Sequence, residues 1–371
     1  MNSSTQTILL TGATGTIGSR LVSIYLAQEN HRLTLLVRDK GKLRGSARIA
    51  KMIGLPSEES LPAERLEILI GDVSEPRFGL DPSVYNRLIA STDLVIHGAA
   101  TTKLTDSEEN CHRINLQGTA NVLDFSRKAA DAGRLTRLSH ISTAYVAGSR
   151  LGIPLIEDEL PENPVFANNY ERSKYAAEVL VRQQMSQGLP VTIYRPSIVV
   201  GDSVTGRPVS FNVSYPFFRI LASGMLSQIP VHSDSCLNMV PVDFVAHSIA
   251  SINHLPMSLG KTYHLVSKVP TPMRMFQEME QFYPHLSHIF RRVELVDPEQ
   301  FDPANLPEDE QLLYQGLEAY LPYLEDHMTL DTRNMDAILP AIGMEWPDTG
   351  MPFIRRLFEY VIGVGYFSAD L

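Results

Sequence analysis

The chain is poor in cysteine, with two among 371 residues, Cys111 and Cys236. Two cysteines cannot build a disulfide framework, and neither belongs to a C-x-x-C pair, so no metal site is expected. Such usage fits reduced thiols in the cytoplasm. Basic residues are also scarce: 32 Lys and Arg face 42 Asp and Glu, a formal net charge of −10. No basic tract offsets that balance, which argues against nucleic acid as a partner. No uncharged apolar run reaches the ~18 residues of a membrane span. The polar residues 1–6 lead straight into an apolar strand, so no signal peptide is expected. Internal repeats and low-complexity segments are absent. What remains is ordinary for a globular protein, 44% hydrophobic and 20% charged, and long enough for a large core and two lobes.

The most informative stretch is Thr11-Gly12-Ala13-Thr14-Gly15-Thr16-Ile17-Gly18, after the apolar Ile8-Leu9-Leu10 and before an amphipathic segment over 17–28. That order predicts strand, tight glycine turn and helix. Glycines at this spacing let the backbone turn sharply, approach a pyrophosphate closely and pack helix on strand. The helix N-terminus then offers unpaired N–H groups and a positive dipole end to phosphates. A plain structural loop is the other reading of such a turn. Leu33-Thr34-Leu35-Leu36-Val37 is a second buried strand ending at Arg38, where an NAD-type unit would carry an acidic residue for the adenosine ribose. A guanidinium there can grip a 2′-phosphate through paired N–H groups, which favours NADP, with Arg44 and Arg48 following on a helix. An arginine merely capping the strand is the alternative, and Asp39 next to it could blur the preference.

Residues 54–65 read as a surface insertion. The strand over 66–70 closes on Gly71-Asp72-Val73, whose aspartate can accept a hydrogen bond from an adenine amino group. The strand over 93–97 ends in Gly98-Ala99-Ala100, small residues that leave room for a cofactor. Asn115 opens the next helix, either as a cap or as a polar group facing the site. Further strands are expected over 135–141, ending in Ser142-Thr143-Ala144-Tyr145-Val146, over 191–196 with a continuation over 197–201, and over 262–266. The alternation predicts an α/β fold, a doubly wound parallel Rossmann sheet with ligands outside the carboxyl ends of its strands. A smaller, mainly helical C-terminal substrate lobe completes it. The expected boundaries are 1–205 for the Rossmann domain, completed by 238–268, and 206–237 with 269–371 for the lobe. The last stretch, 353–362, has apolar residues at helical spacing and reads as core, with a peripheral membrane-surface or acyl-carrier docking face as the alternative.

A helix beginning near Asn169 carries Tyr170 and Lys174, four residues apart and so on one face. A lysine ammonium near a phenol lowers the phenol's pKa and suits it to proton transfer near neutrality. The same lysine can hold a nicotinamide ribose.

Taken in order, TGATGTIG, LLVR, GDV, HGAA, STAYVAG, YERSK, RPSIVVGD and MVPVDFVA resemble an extended short-chain dehydrogenase/reductase. The set is most similar to the male-sterility-like branch of fatty acyl-CoA reductases and the thioester reductase domains that end carboxylic acid reductases and nonribosomal peptide synthetases. The motifs span about residues 7–266, and TLDTRN at 329–334 with the terminal GVGYF adds a looser likeness to bacterial acyl reductases. Thr16 departs from the branch, where phenylalanine is commonest (TGATGFLG). By position, the resemblance implies Thr143, Tyr170 and Lys174 as catalytic residues, Thr143 rather than Ser142 when Gly148 anchors the motif. It implies NADP(H) held by Gly12, Thr14, Gly15, Thr16, Ile17 and Gly18 at the pyrophosphate, by Arg38 at the 2′-phosphate, and by Asp72 and Val73 at the adenine, with Arg48 also binding the cofactor. Ala99, Ala100, Asn115, Lys174, Pro196, Ser197, Ile198 and Val199 would line the rest.

The implied reaction is NADPH-dependent reduction of an acyl thioester, on coenzyme A or an acyl carrier protein, to the aldehyde, with the alcohol left open. Two alternatives stand beside it. One is an enzyme of the same fold acting on a sugar nucleotide or a hydroxysteroid-like alcohol or ketone. The other is a non-catalytic NADP-sensing protein, which would need the glycine turn but not both Tyr170 and Lys174. With no adenylation or carrier domain in the chain, it is expected to act alone, as monomer or homodimer, on a substrate supplied by another protein or as a coenzyme A ester. Phe217, Phe218, Met225, Met273 and Met275 fit an apolar acyl pocket or a plain core.

Overall fold

Runs of leucine and β-branched residues, too apolar to leave either sheet face in water, build the centre of the molecule. The computed structural model describes residues 5–149, 153–211, 214–222, 225–232, 234–275, 293–325 and 328–367, with the single residues 278, 281 and 284. Seven strands form the main sheet: β1 (Gln6–Thr11), β2 (His31–Val37), β3 (Leu66–Ile70), β4 (Leu94–His97), β5 (Arg137–Ile141), β6 (Val191–Pro196) and β7 (Thr262–Leu265). All pair in parallel, in the spatial order β7-β6-β5-β4-β1-β2-β3. The order reverses between β1 and β4, so the carboxyl ends of these strands flank a crevice.

Both faces are covered. On one, α1 (Thr16–Leu26) and the helix Val242–Ile252 enclose Ile8, Leu10, Leu33, Leu35 and Ile96. On the other, the helices Pro82–Ser91 and Gly118–Asp131 and α2 (Asn169–Ser186) pack over Leu9, Leu36, Val95, Leu138 and Ile193. From the C-terminal region, Met335, Ile338 and Leu339 join the first of these cores, and the Trp346 ring lies tilted against Phe244.

Two expectations are corrected. The strand expected over 197–201 does not extend the main sheet: Ile198–Val200 pairs in parallel with Met239–Pro241. Pro196 has no N–H to continue the ladder. The Ser197 N–H still reaches the Leu265 carbonyl (3.2 Å), but that of Ile198 turns to Asn238 (3.1 Å). The helix expected to open at Asn115 begins earlier, at Glu108, where Ser107 Oγ accepts from the Asn110 N–H. It passes through a π-helical turn, His112–Gln117, before continuing as Gly118–Asp131, so Asn115 lies inside a helix and caps nothing.

A second core lies past the carboxyl ends of the strands, around Ile198, Val200, Phe217, Phe218, Leu237 and Met273. The terminal helix Met351–Gly363 turns Phe353, Ile354, Leu357, Phe358 and Val361 into it. That apolar stripe is therefore consumed by packing and is not a membrane or carrier-docking face. Met275 packs against the same core, whereas Met225 is 45% exposed. Among the described residues no helix is long and apolar enough to cross a membrane. Most of the tail expected to be helical between 276 and 292 lies outside the described residues.

Candidate active site

The crevice is shaped first by two glycines. Gly12 has φ +76°, and a Cβ there would lie 2.4 Å from the Gly98 carbonyl carbon. A Cβ on Gly18 would meet the Gly12 oxygen at 2.2 Å. Only glycine permits these approaches. Gly15, at the N-cap of α1, has no side chain of its own to fill the helix N-terminus.

The glycine turn, the loop after β5, the first turns of α2 and the segment after β6 enclose a cavity of about 220 Å³. Of the residues singled out in the sequence, Gly12, Gly15, Thr16, Ile17, Gly18, Ala100, Thr143, Tyr170, Lys174, Pro196, Ser197, Ile198 and Val199 all line it. Two lining hydroxyls, Ser197 Oγ and Ser214 Oγ, are buried without a hydrogen-bond partner among the described residues. An unpaired buried hydroxyl costs free energy that a polar ligand group can recover. The Cβ-free turn, the glycine at the helix N-cap and these hydroxyls together fit a dinucleotide.

The second group sits apart from the cavity wall. Arg38 Nη1 lies 3.3 Å from Asp72 Oδ2, and Arg48 donates to Thr14 Oγ1 (2.9 Å) and to the Arg38 carbonyl (2.8 Å). Asp39 Oδ1 accepts from the Gly45 N–H (2.8 Å). Val73 is buried, and the Ala99 N–H donates to Thr11 Oγ1. Asn115 does not line the cavity. Its Oδ1 accepts from the Thr101 N–H (2.8 Å) and its Nδ2 donates to the Thr101 carbonyl and to Ser173 Oγ (2.8 Å). It is a strut between the loop after β4 and the helix that carries Tyr170 and Lys174.

The expected lowering of the Tyr170 pKa by Lys174 is not what the structure holds. Burial pushes Tyr170 up to about 12, with a hydrogen bond between the Tyr170 and Thr143 hydroxyls pulling it back. The Lys174 ammonium donates instead to the Ile141 carbonyl at 2.8 Å. Burial pulls Lys174 down to about 8, and Glu178, one turn on, pulls it up. Thr143 is itself buried and donates to the Pro196 carbonyl at 3.4 Å.

Glu178 went unnoticed in the sequence. Its carboxylate lies 2.6 Å from Arg195 Nη2, with both side chains fully buried, and accepts from Ser142 Oγ (2.6 Å) and Arg182 Nε (2.8 Å). Burial alone would raise its pKa, but Arg195 and the other donors hold it well below the usual carboxylate range. Tyr145, Tyr320, Tyr323, Leu104 and Leu324 also line the cavity unforeseen, beside the anticipated Phe217. Among the described residues no cluster of His, Cys, Asp or Glu could hold a metal ion.

The NAD-binding family model described as male sterility protein matches residues 10–249. The chain belongs to this family. Within the extended short-chain dehydrogenases/reductases it is a male sterility-type, NAD(P)-binding chain. It is 30% identical over 268 residues to a linear gramicidin synthase polypeptide of Brevibacillus parabrevis, covering 71% of this chain and 5% of that one. It is 29% identical over 294 residues to a carboxylic acid reductase of Mycobacterium tuberculosis, covering 71% of this chain and 24% of that one. The chain thus spans well under two thirds of these curated relatives. The terminal R domain from the myxalamid PKS-NRPS biosynthetic pathway superposes with a TM-score of 0.84 at 26% identity, covering 100% of this chain and 94% of that one.

Proposed function

We propose that this protein is an NADPH-dependent reductase of acyl thioesters, carried on coenzyme A or an acyl carrier protein, that releases the aldehyde. The observation that carries this reading is one cavity lined both by the glycine turn and by Thr143, Tyr170 and Lys174. Bound there, NADPH would supply a hydride to the thioester carbonyl carbon. Arg38 and Arg48 would hold its 2′-phosphate, and Lys174 its nicotinamide ribose. Thr143 and Tyr170 donate hydrogen bonds to the carbonyl oxygen, whose negative charge grows in the transition state. Held near 12, Tyr170 stays protonated at neutral pH and gives its proton to that oxygen, a stronger base once it is an alkoxide. The resulting hemithioacetal breaks its C–S bond, and thiol and aldehyde separate.

In this reading residues 1–205 with 238–268 hold the dinucleotide, and 206–237 with 269–371 hold the acyl group. The wall formed by Leu104, Phe217, Leu237 and Leu324 suits an acyl chain better than a sugar nucleotide. The two unpaired cysteines fit a reducing compartment such as the cytoplasm. The relatedness to a carboxylic acid reductase and to the myxalamid R domain supports the same chemistry.

The test is incubation with NADPH and a series of acyl-CoA and acyl-pantetheine thioesters, following cofactor oxidation and free thiol. Turnover is expected, and Tyr170→Phe should lower kcat by roughly 100-fold or more while NADPH binding persists. Reaction with a sugar nucleotide or secondary alcohol, and with no thioester, overturns the assignment.

A further inference from the structure

The cavity wall includes a pair of aromatic residues. Tyr145 and Tyr323 meet edge to face, with ring centroids 4.6 Å apart and planes at 79°. Both rings line the cavity that holds Thr143, Tyr170 and Lys174. Both also line a separate small hollow, bounded further by Gly148, Ser149, Ala167, Glu171 and Pro322. The pair therefore borders both spaces.

Tyr323 is the better anchored half. It comes from the short helix Pro322–Glu325 of the C-terminal region, yet its hydroxyl is tied to the start of α2. Asn168 Nδ2 donates to it at 2.8 Å, and it donates in turn to the Glu171 carboxylate. That carboxylate is buried and also accepts from the Ala167 N–H at 3.0 Å. Asn168 caps α2 through the Glu171 N–H, and Glu171 directly follows Tyr170. The pair is thus fastened to the same helical turn that carries the proposed proton donor, so its distance from the reacting carbonyl is set by covalent and hydrogen-bonded structure. A flexible side chain would yield to a longer substrate; a ring tethered at its far end resists.

We propose that Tyr323, braced by Tyr145, is the wall that sets acyl length, so that the protein takes short, compact, apolar acyl groups and excludes longer ones at this point. The proposal rests on the thioester reductase reading. One methylene too many in a hydrophobic site changes kcat/KM by roughly 10-fold or more, so the parent's profile against linear acyl-pantetheine thioesters should show a sharp upper limit. Tyr323→Ala removes a ring that borders both the cavity and the hollow. At the first excluded length it should gain roughly 10-fold or more in kcat/KM, measured relative to a short acyl reference in the same variant. Tyr323→Phe keeps the ring but loses its hydroxyl tether, so its limit should move less than that of Tyr323→Ala.

NADPH binding reports whether each variant is folded. Should Tyr323→Ala lose it, Tyr323→Leu shortens the same wall with an apolar side chain and carries the same expectation. A length limit that is identical in the parent and in the folded Ala or Leu variant overturns the wall. A parent that reduces no thioester of any length overturns the functional reading instead, so the two failures are told apart by the parent alone.

Discussion

Glu178→Gln isolates the buried charge pair behind the proposed catalytic helix. Glutamine preserves the shape and can still accept from Ser142, but Arg195, fully buried, loses its counter-ion. Removing one partner of a buried ion pair costs about 3–5 kcal/mol, mostly because the other charge stays desolvated. With an unfolding entropy of about 2.1 cal/mol/K per residue, the 371-residue chain should melt about 4–6 °C lower. Calorimetry measures this directly. A second readout comes from Lys174, which burial pulls down to about 8 and Glu178 pulls up. The lysine is an ammonium below that value, so without the carboxylate its charged form is lost at lower pH. The alkaline limb of kcat/KM should therefore move to lower pH, with activity at pH 7.5 falling more than activity at pH 6. Replacing both partners, Glu178→Leu with Arg195→Met, should recover part of the stability and none of the pH profile. An unchanged melting temperature together with an unmoved alkaline limb would refute both roles.

Arg38→Ala should weaken NADPH binding by roughly 10- to 100-fold while leaving NADH nearly untouched, the range expected of a hydrogen bond to a charged group; equal affinities for the two cofactors in the parent would remove Arg38 from the 2′-phosphate site. Gly18→Ala drives a methyl to 2.2 Å from the Gly12 oxygen, so the turn must shift; a stability loss of about 1–3 kcal/mol and loss of NADPH binding are expected by urea unfolding and titration, and parental binding would refute the close-approach argument. Burial pushes Glu157 up to about 7 from an ordinary 4.5, against the pull of the His264 and Asn334 N–H groups. The folded state then keeps a proton that the unfolded chain releases, so this contribution is full below about pH 4.5 and is lost as pH rises through 7, by at most about 3 kcal/mol. Urea unfolding at pH 5 and pH 7.5 should show the decline, and Glu157→Gln should flatten it; parallel slopes in both proteins would contradict it.

Legibility in the sequence followed the physics of each region. The sheet could be read because strands covered on both faces must be apolar throughout, as in Ile8-Leu9-Leu10 and Leu33 to Val37. The glycine turn and the Tyr170–Lys174 spacing could be read because each is a local pattern with one geometric consequence. Asn115 was misplaced because a π-helical turn leaves no period to detect, although Ser107 followed by two glutamates was a usable start signal. Tyr323 was invisible for a different reason: it lies on a four-residue helix, and its partners Asn168 and Glu171 are some 150 residues away. The Glu178–Arg195 pair spans a helix and a strand, and nothing in either segment's periodicity marks a charge as buried.

The point where the chain leaves the main sheet has a consequence for how such proteins diversify. Ile198–Val200 and Met239–Pro241 lie side by side, with Ile198 opposite Met239 and Val200 opposite Pro241. Everything between them, residues 201–238, departs and returns within a few residues' length of the same place, roughly 10 Å by strand rise. This crossover carries Phe217 and Leu237 to the cavity and leaves the glycine turn, β5 and α2 in other parts of the chain. A stretch with neighbouring ends and a paired base is a natural cassette. Under the proposed function, exchanging it would change part of the cavity wall while leaving Thr143, Tyr170 and Lys174 in place, and chimeras joined at Val200 and Met239 would test this.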